Sequence, residues 1–311
     1  MAFDFSTVGA PFRMQPGLRR LPADQPQLTS TRPNDAVMRD KLAVLTTQPD
    51  EALLCDPTID PVGIWRRVAQ RAAREHGDAF RDDGRGDFSA PALGWSLRGR
   101  EVCGHGPAAI GACLRALAFE ARLAGLLALA FAEDLAVLDG TTGRVPALAV
   151  CLPSRWIPRD KVGRRLPEIH APVADGAALV AAADALVRLV VAPGGRWERG
   201  VWTLSTSPRL DAHPERVVAP AWDGSAQPHD LADAAFFRTE LQRFGALADV
   251  ALALFTIRVD VRPLREAVAT ADAAARLHAA LASMSPAVLT YRGLTPARDG
   301  LLHWLDGRAR P

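Results

Sequence analysis

Apolar residues return at helical intervals through the first part of the chain. They do so between residues 35 and 54 and again between 61 and 76, where Ile64, Trp65, Val68 and Ala72 fall on one face. Residues 108–130 are rich in Ala and Leu, with only Gly111 and Gly125 as helix-breaking punctuation, and predict one or two buried helices. The intervening residues 80–97 are polar and Gly-rich and read as a loop or irregular ribbon. Beyond residue 130 the period shortens. Residues 135–138 and 147–152 are short apolar runs separated by DGTTGRVP, which is a hairpin pattern. Residues 201–205 alternate Trp202 and Leu204 with polar neighbours, 236–241 form a short mixed segment, and 250–261 are β-branched and alternating at their end. Helical spacing returns at 177–191 and 262–284, and 299–305 predict a short terminal helix. Residues 1–35, rich in Pro, Arg, Asp and Gln, have little periodicity and are expected to wrap a larger body as an extended lead-in.

Helices, then strands interleaved with helices, then a helix predict an α+β fold around a small antiparallel sheet. No repeat and no linker divides the chain, so residues 1–311 are expected to form a single domain. It would comprise a lead-in (1–35), a mainly helical part (36–130) and a sheet-containing core (131–311). A composition of 49% hydrophobic and 23% charged residues excludes wholesale disorder. A formal net charge of +2 gives no reason to expect a nucleic-acid partner. Cys55, Cys103, Cys113 and Cys151 include no C-x-x-C pair of a zinc or iron–sulfur site. The first residues lack an apolar core of signal-peptide length, and the longest apolar stretch, 123–131, is about a dozen residues short of the ~20 that span a bilayer. No membrane partner is expected, and the cytoplasm, with free thiols, is the expected location.

The nucleophile elbow, the zinc-binding H-E-x-x-H helix, the phosphate-binding loop and the dinucleotide fingerprint are all missing. Three clusters carry what chemistry there is. CLPSRWIPRDKVGRRLPEIHAPV (residues 151–173) gathers Trp156, Lys161, Arg164, Arg165 and His170 in one mostly non-periodic stretch after a strand. Pro167 and Pro172 stiffen the backbone around His170, and a neutral imidazole held stiffly suits a metal or heme iron. The other reading is a histidine hydrogen-bonded to a carbonyl in a buried turn. RWERGVWTLS (196–205) places Arg199 where it can meet an anion or lie on a solvated strand edge. In FFRTELQRF (236–244), Arg238, Glu240 and Gln242 share one face if the segment is a strand. That face either holds a ligand or is the polar outside of an edge strand.

In order along the chain, PFRMQPGLRRL, AEDLAVLD, the 151–173 stretch, the Arg199–Trp202 segment, RTELQ, LFTIRV and the turn Tyr291–Arg292–Gly293 resemble the heme-carrying subunit of the heme-dependent oxidative N-demethylases. The resemblance spans nearly the whole chain and is densest over residues 151–173. It implies a PAS-like antiparallel sheet with additional helices at both termini, binding heme b. The implied activity is that of a monooxygenase: O2-dependent removal of a methyl group from a small methylated amine, releasing formaldehyde. Electrons would come from NAD(P)H through a flavin and iron–sulfur reductase partner. On this reading His170 is the proximal iron ligand, with His105 and Cys151 as rivals. Arg164, Arg165 and Arg258 are expected to meet the heme propionates, and Trp156 and Lys161 to complete the cofactor site. Glu240 would orient the amine beside Arg238 and Arg199, or else form a buried structural bridge with one of them. The alternative function is a non-catalytic heme-binding PAS-like sensor or carrier; a heme-free structural subunit is a third. The chain departs from the family pattern at Val201 (Asn expected), at Phe244–Gly245 (Leu-Pro expected) and at Arg292 (Lys usual).

Overall fold

The computed structural model describes residue 3, residues 5–248 and residues 250–309. An irregular lead-in carrying the two-residue strand β1 (Arg19–Arg20) precedes helices α1 (Ala36–Thr47), α2 (Pro49–Ala52) and α3 (Pro61–Glu75), with β2 (Leu53–Cys55) between the last two. Short strands β3 (Arg81–Asp82), β4 (Phe88–Ala90), β5 (Trp95–Arg98) and β6 (Glu101–Gly104) lead to α4 (Ala108–Ala116) and α5 (Arg122–Ala130). The hairpin β7 (Asp134–Asp139) and β8 (Ala147–Ala149) is followed by α6 (Leu166–His170), α7 (Ala177–Val191), β9 (Arg196–Ser205) and α8 (Pro228–Asp233). Two long strands, β10 (Phe236–Ala246) and β11 (Leu252–Pro263), precede α9 (Leu264–Ala267), α10 (Ala271–Ala282), α11 (Pro286–Tyr291) and α12 (Arg298–Ala309).

The architecture is α+β, but the main sheet is not small. Seven antiparallel strands lie in the order β1-β9-β10-β11-β7-β8-β2. Its size was hidden because the predicted short segment at 236–241 is only the first half of β10. That strand continues through Gln242, Arg243 and Phe244, and its polar residues are buried, which masks the usual inside–outside alternation. Residues 80–97 are likewise no loop. They fall within a second, four-stranded sheet, β3-β4-β5-β6, in which Phe88, Ala90, Trp95 and Leu97 alternate into the core. Gly94, at φ 72°, makes the turn between β4 and β5, where a Cβ would meet the backbone of Gly106 at 2.7 Å. The helix expected over 262–284 starts late, because β11 runs to Pro263; α10 begins only at Ala271, where the Thr270 hydroxyl caps the Ala273 N–H.

Each face of the main sheet has its own cover. Helix α7 lays Val187 and Val190 on Leu138, Phe244 and Ala253. Helices α10 to α12 bury Trp202, Leu204 and Phe237 on the other face. The α1, α3, α4 and α5 layer forms a third apolar body with Leu135, Val137 and Leu254. α3 is set by its ends: Asp60 caps the N–H groups of Val62 and Gly63, and Pro61 opens the helix.

One ionic contact ties these parts together. Lys41 on α1 is fully buried. Its ammonium lies 3.3 Å from the Asp134 carboxylate and donates to the carbonyls of Phe131 (3.1 Å) and Glu133 (2.5 Å). Asp134 in turn accepts the N–H groups of Cys151 (3.0 Å) and Leu152 (2.8 Å). Replacing one partner of a buried pair strands the other's charge, a loss of roughly 3–5 kcal/mol. A Lys41→Met variant is expected to lose stability of that order in urea unfolding, and Arg276→Ala, at an exposed α10 pair with Asp272, less than about 1 kcal/mol.

Candidate functional site

The pairing of β9 with β10 sets the site. Arg199 lies opposite Gln242, Val201 opposite Glu240, and Thr203 opposite Arg238. With a side-chain period of two, all six share one face. A cavity of about 720 Å³ lies against that face. Leu138, Leu148, Phe244 and Phe255 of the sheet and Leu179 and Leu186 of α7 make its apolar wall, with the Phe244 and Phe255 rings stacked 4.4 Å apart. Phe12, Met14 and Pro16 of the lead-in close the opposite side.

The polar row is wired internally. Arg199 Nε donates to Gln242 Oε1 (2.7 Å), and Gln242 Nε2 donates to Glu240 Oε2 (2.5 Å). Among the described residues this is the Glu240 side chain's only hydrogen bond, so Oε1 of the carboxylate is free to accept another. Arg199 also donates to the Pro16 carbonyl (3.2 Å). Burial holds the Arg199 guanidinium below its ordinary pKa, and Glu240 partly offsets this. Arg238 is largely engaged: Ser154 Oγ and the carbonyls of Arg209, Leu210 and Pro153 accept four of its five N–H groups. Its pKa is likewise lowered by burial and raised by Glu240.

His170 ends α6 and faces the cavity. The helix is pinned at its start, where the Arg165 N–H donates to the Glu168 carboxylate at 2.7 Å. His170 Nδ1 lies 2.8 Å from the Leu166 carbonyl. A carbonyl only accepts, so Nδ1 carries the proton and Nε2 keeps its lone pair. Burial first, then the Arg199 and Lys161 charges, lower the imidazole pKa against the opposing Leu166 bond. The ring is therefore neutral at pH 7, the state an iron ligand requires.

Of the residues picked out in the sequence, His170, Trp156, Lys161, Arg199, Arg238 and Glu240 all line this cavity. Arg164, Arg165 and Arg258 do not. Arg164 is exposed, and Arg165 pairs with Asp184 at the surface (3.1 Å). Arg258 follows Ile257, which lines the cavity, so strand alternation turns it to the opposite face, where it donates to Thr29 Oγ1 (2.8 Å). The cations at the open side are instead Arg13, Arg155 and the half-buried Lys161. Arg155, at φ 63°, Arg13 and Arg292 all lie in segments that carry the family resemblance, but nothing in their periodicity sets them apart as cavity residues. The rival ligands lie elsewhere. His105 is exposed outside the cavity, and Cys151 is buried outside it with its thiol pushed far up by desolvation, hence protonated. At the Phe244–Gly245 departure, Phe244 supplies the stacked wall. Gly245 makes room for Gln27 and Arg71, whose atoms would lie 2.5 and 2.7 Å from a Cβ.

A flat apolar macrocycle with two carboxylates needs an apolar slot, a neutral nitrogen ligand and cations at the open edge. The walls, His170 Nε2, and the trio Arg13, Arg155 and Lys161 meet those needs, so the donor set fits heme. These features define an α+β protein with a cofactor-sized polar and apolar cavity. Residues 114–302, more than half of the chain, match the family described as haem-dependent oxidative N-demethylase, alpha subunit-like, and the chain belongs to that family. Among the described residues, no helix is long and apolar enough to cross a membrane.

The placement of the cations has a direct consequence. Lys161→Met should speed transfer of heme to an excess of an apo-globin acceptor by roughly tenfold, the scale of one charge-assisted hydrogen bond. Arg165→Ala should leave the transfer rate unchanged.

Proposed function

We propose that this protein carries out heme-dependent oxidative N-demethylation of a small methylated amine, drawing electrons from NAD(P)H through a flavin and iron–sulfur reductase partner. The observation that carries the reading is the joint placement of a neutral, oriented His170 and the Arg199–Gln242–Glu240 row on one cavity, in a chain of this family. The five central strands also support a PAS-like sheet. Numbered in chain order from β7, they lie 2-1-5-4-3, with α7 across one face. The alpha-subunit-like family description supports a partner subunit.

When bound, heme b supplies O2 activation, chemistry that no side chain of the cavity offers. Overall, the methylated amine, O2, two electrons and two protons give the demethylated amine, formaldehyde and water. His170 would hold the iron through Nε2, its ring fixed by the Leu166 carbonyl. Arg13, Arg155 and Lys161 would meet the propionates. Glu240, held by Gln242, would take the amine N–H on its free oxygen and so fix the methyl group's position. Leu138, Phe244, Phe255 and the α7 side chains exclude water, which strengthens each polar contact inside.

Protein reconstituted with hemin should show a Soret band that shifts on adding dithionite and CO. His170→Ala should lose most of its heme, and imidazole should restore it. With an artificial reductant, the wild-type protein should release formaldehyde from methylated amines, and Glu240→Gln should keep its heme but lose this activity by at least a hundredfold. A wild-type protein that stays colourless after reconstitution would overturn the reading.

A further inference from the structure

The charges around the cavity do not suit a simple alkylammonium ion. Arg13, Arg155, Lys161, Arg199, Arg238 and Arg292 line it, and among the described residues Glu240 is its only acidic one. Arg13 and Arg155 are exposed and Lys161 is half-buried, where two propionates would meet them, and Arg155 also donates to the Arg292 carbonyl (3.2 Å). That leaves three guanidiniums, Arg199, Arg238 and Arg292, facing one carboxylate in the interior. None of the three has a carboxylate within salt-bridge distance among the described residues.

Arg292 is the least satisfied of them. Nη1 donates to the Trp202 carbonyl (2.5 Å), and Nη2 reaches only the Met14 thioether sulfur (3.7 Å), a weak acceptor. Its guanidinium carbon lies 4.6 Å from the Phe12 ring centroid and 5.4 Å from that of Trp202, in the corner of two rings set at 84° to each other. The two rings flank the group, and among the described residues its remaining N–H groups have no oxygen partner. Burial lowers its pKa to about 10, which still leaves it charged at neutral pH. Arg238, by contrast, has four oxygen acceptors for its five N–H groups.

Glu240 reaches the cavity from β10 and Arg292 from the turn that ends α11. Glu240 lies opposite Val201, and Arg292 is bonded to the carbonyl of the next residue, Trp202. Both side chains line the one cavity, and the Glu240 charge acts on the Arg292 guanidinium, so an acceptor for an ammonium and a fork for a carboxylate serve the same space. Val201 between them offers no hydrogen bond of its own.

We infer that the substrate is a zwitterion, an N-methyl amino acid of the size of N-methylglycine, with its amine on Glu240 and its carboxylate on Arg292. The inference rests on the demethylase reading and adds the anionic end of the substrate. A dialkylammonium ion would add a further positive charge to an interior that already holds an excess. The zwitterion brings its own anion to the guanidinium that lacks one, and bidentate pairing with a planar carboxylate is what a held guanidinium does best.

The test uses the full chain reconstituted with heme, followed by Soret perturbation and calorimetry with N-methylglycine and dimethylamine. N-methylglycine should bind at least tenfold more tightly than dimethylamine. With heme content kept, Arg292→Met should remove that preference, weakening N-methylglycine binding at least tenfold and leaving dimethylamine affinity equal or higher. Arg292→Lys, which keeps the charge without the fork, should recover part of it. Equal or tighter binding of dimethylamine by the wild type, with formaldehyde released from it, would overturn the zwitterion and leave the demethylase reading standing. Loss of heme from both Arg292 variants would also overturn it, by placing Arg292 on a propionate. If neither amine perturbs the spectrum or releases heat in a heme-loaded protein, the demethylase reading and the zwitterion fall together.

Discussion

The buried pair of Lys41 and Asp134 is the contact on which the rest of the structure hangs. An ammonium with no access to solvent survives only if every donor is met, and here a carboxylate and two carbonyls meet it. The same carboxylate takes the N–H groups of Cys151 and Leu152. One side chain thus joins the helical layer, the start of β7 and the point where the chain leaves β8 for the 151–173 stretch. Trp156, Lys161 and His170 all follow that point and all reach the cavity. The loop that lines the cavity is therefore aimed by an interaction that belongs to the core.

The second constraint is electrostatic. A strand buried on both faces is normally apolar, yet β10 buries Arg238, Glu240, Gln242 and Arg243. Arg243 and Arg238 are satisfied structurally, the first by Glu198 at 3.1 Å and the Pro26 carbonyl, the second by Ser154 and three carbonyls. Glu240 and Gln242 are satisfied mostly by each other and by Arg199. A row that solvates itself arrives at the cavity with its orientation already fixed, so a ligand need not order it.

Much of this was legible in the sequence, and the misses have physical causes. α7, the β7–β8 hairpin and the helical pair at 108–130 follow directly from apolar period. β10 was truncated because period-two reading looks for apolar residues inside, and this strand puts charged ones there. The four-stranded sheet was missed because strands of two to four residues between glycines leave too few positions to show a period. Among the site residues, those within one face or one loop were recoverable from local pattern: Glu240, Arg238, Arg199, His170, Trp156 and Lys161. Arg258 illustrates the opposite limit. Its chemistry suited a propionate, but a one-residue step along β11 turns a side chain to the other face, and only register decides which. Arg13 and Arg155 meet at the cavity only after the lead-in has crossed the sheet, a long-range event that no local window contains.

The lead-in shows how unevenly the cavity is walled. Farther along, it is tied down firmly: Gln27 donates to the Leu254 carbonyl at 2.8 Å, and the Leu28 N–H donates to Glu75 at 2.8 Å. Over residues 12–16 the ties are fewer and pass through the site itself: the Phe12 N–H to Ser283 Oγ, the Arg199 bond to the Pro16 carbonyl, and the Arg292 contacts with Met14 and the Phe12 ring. Two of the cavity's own cations therefore hold its outer wall. A thioether is a weak acceptor for a guanidinium and a carbonyl a neutral one, whereas a carboxylate is a strong one. Wall and ligand draw on the same N–H groups, so the polar chemistry of the pocket and the seating of its wall are set by the same few donors.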